Sequence, residues 1–217
     1  LASVLYKLWT GIITDVAAMY VEHHKILHAA QEGFRKRRAG SRAVLHLRLA
    51  LEDAHARGKD IFLTYIDFKG AYPSVSHSQL VRVLQFLGLP ADFIEVVRNL
   101  YSGASTIFLS PHGPTDPIPI ERGTLQGDPL SPLLFDLMVE PLIRWLERSG
   151  DGYPLSTGDK LASKWYADDA TLVTDSMPKM HSLCQKIDAF SRWSGIRTNV
   201  QKCRTTGPGF VHDIQRL

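Results

Sequence analysis

Residues 61–68, Ile-Phe-Leu-Thr-Tyr-Ile-Asp-Phe, constrain this chain more than any other segment. The run is apolar and rich in β-formers, so it reads as a strand buried in a sheet. Asp67 stands at its C-terminal end. A carboxylate in that position must be paired or must bind a cation, because burying the charge alone is very costly. Gly70 and Pro73 then break the strand. Any fold for this chain has to bury the strand and bring something to its acidic end.

The elements around it alternate between helix and strand. Leu1, Val4, Leu5 and Leu8 open a helix over residues 1–28. Residues 31–42, which contain Gly33 and Gly40, form a basic loop. Ser41 is placed to cap a helix with Val44, Leu45, Leu49 and Leu51 on its apolar face, ended by Gly58. After the strand, Leu80, Val83, Leu84 and Leu87 mark a helix that Gly88 and Pro90 stop. A second helix carries Phe93, Val96, Val97 and Leu100 on one face. Residues 105–121 read as two short strands about the turn Pro111-His112-Gly113-Pro114. Ser131 and Pro132 start a helix that turns Leu133, Leu134, Leu137, Met138, Leu142 and Trp145 inward, with Pro141 expected to kink or divide it. Two β-rich runs, around Trp165-Tyr166 and Thr171-Leu172-Val173, flank Ala167-Asp168-Asp169-Ala170 and form a hairpin with an acidic tip. A helix over about 178–193 buries Leu183, Ile187 and Phe190, Gly195 ends it, and 196–206 read as a last strand. The pattern is α+β.

Composition limits the function classes. The 217 residues are 44% hydrophobic and 22% charged, which excludes disorder as the main state. That length corresponds to one large core, or one domain and part of another. No uninterrupted apolar stretch reaches ~18 residues, so a membrane span is not expected. The chain opens mid-pattern without Met or a signal-peptide layout, and is expected to be a fragment. Lys and Arg number 25 against 22 Asp and Glu, too small an excess to announce nucleic acid. Its distribution says more: Arg35, Lys36, Arg37, Arg38 and Arg42 form a dense run, either a solvated face or a phosphate-binding one. Cys184 and Cys203 make no disulfide framework and fit a reducing compartment. His23, His24 and His28 lack the partners that would complete a metal site.

Asp168 and Asp169 could simply supply turn residues. Asp67 changes that balance. Three carboxylates at the ends of buried strands make a hard, oxygen-rich site suited to Mg²⁺. Two such ions ~3.5–4 Å apart stabilise the attacking and leaving oxygens of phosphoryl or nucleotidyl transfer. The residues therefore point to metal-dependent phosphotransfer.

Five segments, in order along the chain, resemble those of one family. Tyr166-Ala167-Asp168-Asp169 is similar to the Tyr-x-Asp-Asp box of reverse transcriptases. Gly123-Thr124-Leu125-Gln126-Gly127-Asp128-Pro129-Leu130-Ser131-Pro132 resembles the Gln-Gly-Asp-Pro-Leu-Ser-Pro box of non-LTR retrotransposon and group II intron enzymes. Asp67-Phe68-Lys69-Gly70-Ala71-Tyr72 resembles the first acidic box, and Gly195–Lys202 the box containing Asn-x-x-Lys. Gln31-Glu32-Gly33-Phe34-Arg35 is similar to the Gln-x-Gly-Phe-Arg segment of the fingers. The chain is identified as resembling the reverse transcriptase domain of a non-LTR retrotransposon.

The resemblance implies a right-hand polymerase palm with partial fingers: an antiparallel sheet covered by helices, with the acidic hairpin at the active site. Residues 1–60 would be partial fingers, 61–206 palm with fingers elements at about 78–122, and 207–217 a tail toward a missing thumb. It implies Asp67, Asp168 and Asp169 as catalytic carboxylates holding two Mg²⁺ ions, with Mn²⁺ a possible substitute and the Phe68 carbonyl a further ligand. Tyr72 would exclude a ribose 2′-hydroxyl, beside Ala71. Gln126 and Gly127 would pack against nucleotide and template, Lys202 would act as general acid toward pyrophosphate, and Arg35, Lys36, Arg37 and Arg38 would contact template phosphates. Tyr72 could instead be a core tyrosine, and Lys202 a surface lysine. The partners implied are an RNA template, a DNA primer and dNTPs, with further fingers, thumb and endonuclease parts on the same polyprotein and no membrane. The location would be intracellular, nuclear or cytoplasmic. An RNA-dependent RNA polymerase is disfavoured by Tyr72 and Tyr166. A non-catalytic or decayed RNA-binding or maturase domain is the alternative class.

Overall fold

The computed structural model of the chain describes residues 4–111, 113–125, 127–208 and 210–213. The elements run α1 (Val4–His23), α2 (Gly40–Ala56), β1 (Phe62–Ile66), α3 (Ala71–Ser74), α4 (His77–Phe86), α5 (Ala91–Tyr101), β2 (Ser105–Thr106), β3 (Leu109–Ser110), β4 (Gly113–Pro114) and β5 (Ile118–Pro119). They continue with α6 (Leu130–Arg148), β6 (Tyr153–Pro154), β7 (Lys160–Leu161), β8 (Ser163–Tyr166), β9 (Asp169–Thr174), α7 (Met177–Ser194), β10 (Arg204–Gly207) and β11 (Phe210–Asp213).

The centre is a five-stranded antiparallel sheet in the order β11-β10-β1-β9-β8. The expected strand is therefore central, which explains why its sequence is a continuous apolar run: both of its faces are covered except at Tyr65, which is exposed. On one face Phe62, Ile66, Ala170, Leu172 and Trp165 join the main core under α6 and α7. On the other, Leu63 and Val173 lie opposite each other and pack with Ala54 of α2 and Tyr153 of β6. Thr64 and Thr205 satisfy one another across β1 and β10, their hydroxyls 2.8 Å apart.

α6 is the core helix. Leu133, Leu134, Leu137, Met138 and Leu142 are buried as the spacing predicts. Trp145 is not: it is 45% exposed. Pro141 does not divide the helix, which runs unbroken from Leu130 to Arg148. Its start also differs from expectation, with Pro129 at the cap position. Asp128 accepts from the Leu130 amide at 3.2 Å, and the Ser131 hydroxyl reaches back to the Leu125 carbonyl at 2.8 Å.

Other expectations change in instructive ways. Ser41 lies inside α2, after the cap residue Ala39, and makes no cap hydrogen bond. α2 buries Ala43, Ala50 and Ala54 and leaves Val44, Leu45, Leu49 and Leu51 exposed. Small side chains let the helix lie close to β8, so the alanine stripe wins the inner face over the larger one. α5 is rotated likewise, burying Ile94, Val97 and Tyr101. Residues 105–121 hold four two-residue strands, paired β2 with β5 and β3 with β4; His112 of the proposed turn lies outside the described residues. The strand expected over 196–206 is regular only from Arg204. α1 stops at His23 and, by length and composition, is apolar enough to cross a membrane, which Lys7 and Asp15 hide from a search for uninterrupted runs. Thr10, Ala17 and Val21 of α1 are buried against the rest of the molecule.

Candidate active site

β1 and β9 pair with Ile66 opposite Ala170, and β8 and β9 pair with Tyr166 opposite Asp169. That register carries Asp67, the residue after Ile66, to the hairpin tip that holds Asp168 and Asp169. The sheet thus gathers the three carboxylates at one end. Asp168 is partly buried; burial, then the negative charges of Asp169 and Asp67, push its carboxyl above the ordinary aspartate value. Among the described residues, none of the three forms an ion pair. Like charges held together without a counter-ion are unfavourable, and a bound cation would reverse the sign of that interaction.

The donors are hard oxygens, which fits Mg²⁺ in type and charge. As they stand they do not form a protein-only cage: among the described residues, no three His, Cys, Asp or Glu side chains are gathered closely enough to hold a metal ion. Mg²⁺ characteristically binds through one or two carboxylates plus waters and substrate phosphates, so an open set is compatible with it.

The backbone around Asp67 is fixed on the β10 side. Its carbonyl accepts from Asn199 N–H at 2.7 Å, and its own N–H points to Cys203 Sγ at 3.4 Å. Lys69 N–H donates to the Arg197 carbonyl at 2.8 Å. These bonds flank the bridge between Phe68 and Thr198 and leave the Phe68 carbonyl outside it. The Phe68 ring is buried and stacks on Trp165 at 6.0 Å. Lys202 is exposed, in the turn closed by its N–H on the Asn199 carbonyl.

Tyr72 sits in α3, partly buried, with its ring 4.8 Å from that of Phe135. Burial, then the charges of Asp168 and Asp136, raise its phenol above the usual value, so it stays neutral. Ala71 turns into the core at 3% exposure, leaving only its backbone to meet a ligand. The loop after β5 folds against this helix: Thr124 N–H donates to the Tyr72 carbonyl at 3.1 Å and Gly123 N–H to the Val75 carbonyl at 2.8 Å. Gly123 has φ +97° and its α-carbon faces Pro73 so closely that a Cβ would sit 3.2 Å from the Pro73 carbonyl oxygen. Gly127, at φ +79°, is exposed. Gln126 lies outside the described residues. Asp128 is buried at the start of α6, and with burial it pushes the Tyr6 phenol up to about 12.

Most of the basic run is engaged with carboxylates of the chain itself. Arg35 is 9% exposed and binds Glu22 with two nitrogens, at 2.6 and 2.9 Å. It also donates to the carbonyls of His28 and Gln31. Arg38 and Arg42 lie 3.4 Å from the fully buried Glu32, and Lys164 lies 3.7 Å from it. Lys36 pairs with Asp15 on the surface at 3.0 Å. Arg37 is exposed at φ +62°.

Two residues were given no role at this site by sequence, although Gln31 opens the segment similar to Gln-x-Gly-Phe-Arg. Gln31 is fully buried and holds the backbone of Ala167 with its amide. Asp136 of α6 is 1% exposed with one oxygen lacking a hydrogen bond. Burial raises its carboxyl well above the ordinary value; Arg35 opposes this, and Glu140 and Asp168 add to it. A charge in the middle of Leu133–Met138, buried on all sides, was the signal for Asp136.

Comparison with known proteins adds the following. Residues 1–210 match the family profile described as reverse transcriptase (RNA-dependent DNA polymerase). The chain is 29% identical over 164 residues to a Pol polyprotein of the R2DM retrotransposable element of Drosophila melanogaster, covering 73% of this chain and 15% of that protein. It is 29% identical over 204 residues to an R2 Pol polyprotein of Popillia japonica, covering 93% of this chain and 28% of the relative. The chain therefore spans less than a third of the length of these relatives. Its fold is similar to that of apo telomerase from Candida tropicalis, with a TM-score of 0.70 at 14% identity, over 94% of this chain and 41% of that one. Telomerase from Candida albicans, solved with a fragment of telomeric RNA, gives 0.69 at 14% identity over 94% and 34%.

Proposed function

Since this chain belongs to the reverse transcriptase (RNA-dependent DNA polymerase) family, we propose that it is the catalytic palm, with part of the fingers, of an RNA-directed DNA polymerase encoded by a non-LTR retrotransposon. The observation that carries this reading is the gathering of Asp67, Asp168 and Asp169 at one end of β1 and β9, without an ion pair among the described residues. The family uses divalent metal ions generally; here the finer assignment is two Mg²⁺ ions, with Mn²⁺ as a substitute. When bound, they supply Lewis-acid polarisation of a primer 3′-hydroxyl and of a triphosphate.

Asp67, Asp168 and Asp169 would hold them, with the Phe68 carbonyl turned away from the β10 side. Burial and the charges of Asp169 and Asp67 raise the Asp168 carboxyl, and a bound cation would act in the opposite direction. Tyr72, neutral and packed on Phe135, presents a rigid ring that excludes an extra sugar oxygen. The Gly123–Asp128 loop, bonded to α3, lets backbone approach the base pair at Gly127. Lys202, exposed beside Cys203, is available to offset charge on leaving pyrophosphate. Of the basic run, Arg37 has the exposure that a template phosphate contact needs. The RNA template, the DNA primer and dNTPs are the partners of this reading. Residues 1–60 and about 78–122 are assigned to the fingers, 61–206 to the palm and 207–217 to the approach to a thumb. An intracellular site of action belongs to the same proposal.

The test is primer extension on an RNA template with dNTPs and Mg²⁺, using the polyprotein that contains this chain. Asp168→Asn should lower extension by more than about 100-fold, since loss even of a residue that only orients a metal ligand costs 10–100-fold. Extension at the wild-type rate would overturn the proposal. Tyr72→Ala should narrow the preference for dNTPs over rNTPs by about 10-fold or more, the loss of one steric contact of 1–3 kcal/mol. Unchanged selectivity would remove Tyr72 from that role.

A further inference from the structure

The acidic hairpin is built on an unfavourable turn. β8 and β9 are joined through Ala167 and Asp168 alone, and Ala167 has φ +57°. A non-glycine residue in that conformation is strained, and such a residue persists where its surroundings over-determine it. The surroundings here are one side chain. The Gln31 amide oxygen accepts from Ala167 N–H at 2.9 Å and from Gly33 N–H at 2.9 Å. Its amide nitrogen donates to the Ala167 carbonyl at 3.2 Å. Because two N–H groups point at the same atom, that atom must be the oxygen, and the amide has one orientation.

The main chain on either side of Gln31 is tied to β8 as well. Glu32 N–H donates to the Trp165 carbonyl at 2.9 Å, and Trp165 N–H to the Ala30 carbonyl at 3.0 Å. Gly33 lies so near the turn that a Cβ on it would strike the Ala167 backbone nitrogen and come within 2.9 Å of its Cα. The clamp is itself anchored: Arg35 holds the Gln31 carbonyl at 3.0 Å while bound to Glu22 of α1.

We propose that Gln31 is a positioning residue for the metal site: it fixes the Ala167 peptide so that the Asp168 carboxylate is held with Asp67 and Asp169. The inference rests on the metal-binding reading given above. Gln31 touches neither substrate nor ion; it acts through the turn. Its effect is on where a like-charged carboxylate rests in the absence of any counter-ion. Without the clamp the turn can relax, and Asp168 can move away from its neighbours.

The experiment uses the whole 217-residue chain, with Gln31→Met, which keeps length but makes no hydrogen bond, and Gln31→Glu, which still accepts from both N–H groups. Amide hydrogen exchange reports the turn, and calorimetric titration with Mn²⁺ reports the site. In Gln31→Met, exchange at Ala167 should quicken by about 10-fold or more, with Thr171 and Val173 in β9 unchanged. Mn²⁺ should bind about 10-fold more weakly, the range found for residues that orient metal ligands. Gln31→Glu should also bind more weakly than wild type although its added charge would by itself tighten binding, and by less than Gln31→Met. Faster exchange at Ala167 with Mn²⁺ affinity equal to wild type would overturn the proposal and leave Gln31 as a fastener of the fold. Should Gln31→Met fail to fold, Gln31→Glu decides alone, and affinity equal to or tighter than wild type overturns the proposal. Wild type indistinguishable from Asp168→Asn in the titration would overturn the metal reading, and the clamp with it.

Discussion

The acidic hairpin and the basic run are both dense clusters of charge, and the molecule treats them in opposite ways. Around Glu22 and Glu32 the cations are answered: Arg35 is bound by Glu22, and Arg38, Arg42 and Lys164 surround Glu32. At the hairpin, among the described residues, no cation pairs with Asp67, Asp168 or Asp169, and burial, then the neighbouring charges, push the carboxyl of Asp168 upward. Paired charges hold the fold together. Charges kept together without partners store an unfavourable interaction that a ligand can relieve. The difference separates charge density from uncompensated charge, and only the second leaves something for a ligand to relieve.

The contrast predicts opposite signs on neutralisation. Arg35→Ala should give the largest effect, a loss of about 2–3 kcal/mol. That is below the 3–5 kcal/mol of a fully buried pair because Glu22 keeps some access to water. The unfolding midpoint should fall by about 4–10 °C in a chain of this size. RNA affinity per folded molecule should not change. A lowered salt dependence of RNA binding in this variant would break the comparison.

Asp168→Asn should do the reverse in the metal-free chain. A folded-state value raised above the unfolded one gives stability that is present at low pH and lost as pH rises through the raised value. Replacing the acid removes that loss. The midpoint should rise by about 1–3 °C near about pH 8 and stay unchanged near about pH 4. A fall at both pH values would mean that Asp168 is paired after all. The smallest effect is expected at Arg37. Arg37→Ala should leave stability within about 0.5 kcal/mol and reduce the salt slope of RNA binding by about 1. An unchanged slope would leave the run with no phosphate contact at Arg37.

Much of this was legible in sequence for identifiable reasons. Asp67 stood out because a charge closing an apolar strand has to be explained, and Asp168 and Asp169 because the hairpin pattern on either side was strong. The helix faces were less legible where two stripes competed. In α2, Val44, Leu45 and Leu49 repeat as well as Ala43, Ala50 and Ala54 do, and close approach to β8, a tertiary fact, decides between them. Trp145 of α6 and the rotated face of α5 were misplaced as well. Arg35 looked like a ligand for phosphate because its acidic partner is 13 residues away on another element. The Gln31 clamp left the weakest trace: an uncharged residue acting on a backbone 136 positions distant.

The strand-like course of Ala30–Glu32 beside β8 has one more consequence. β8 ends the order of the main sheet, and such a border ordinarily offers free N–H and C=O groups to any passing strand. At Trp165 both groups are already taken, by Ala30 and Glu32. The chain thereby occupies part of the border of its own sheet next to the acidic turn. A strand from a second molecule would find neither group of Trp165 free there.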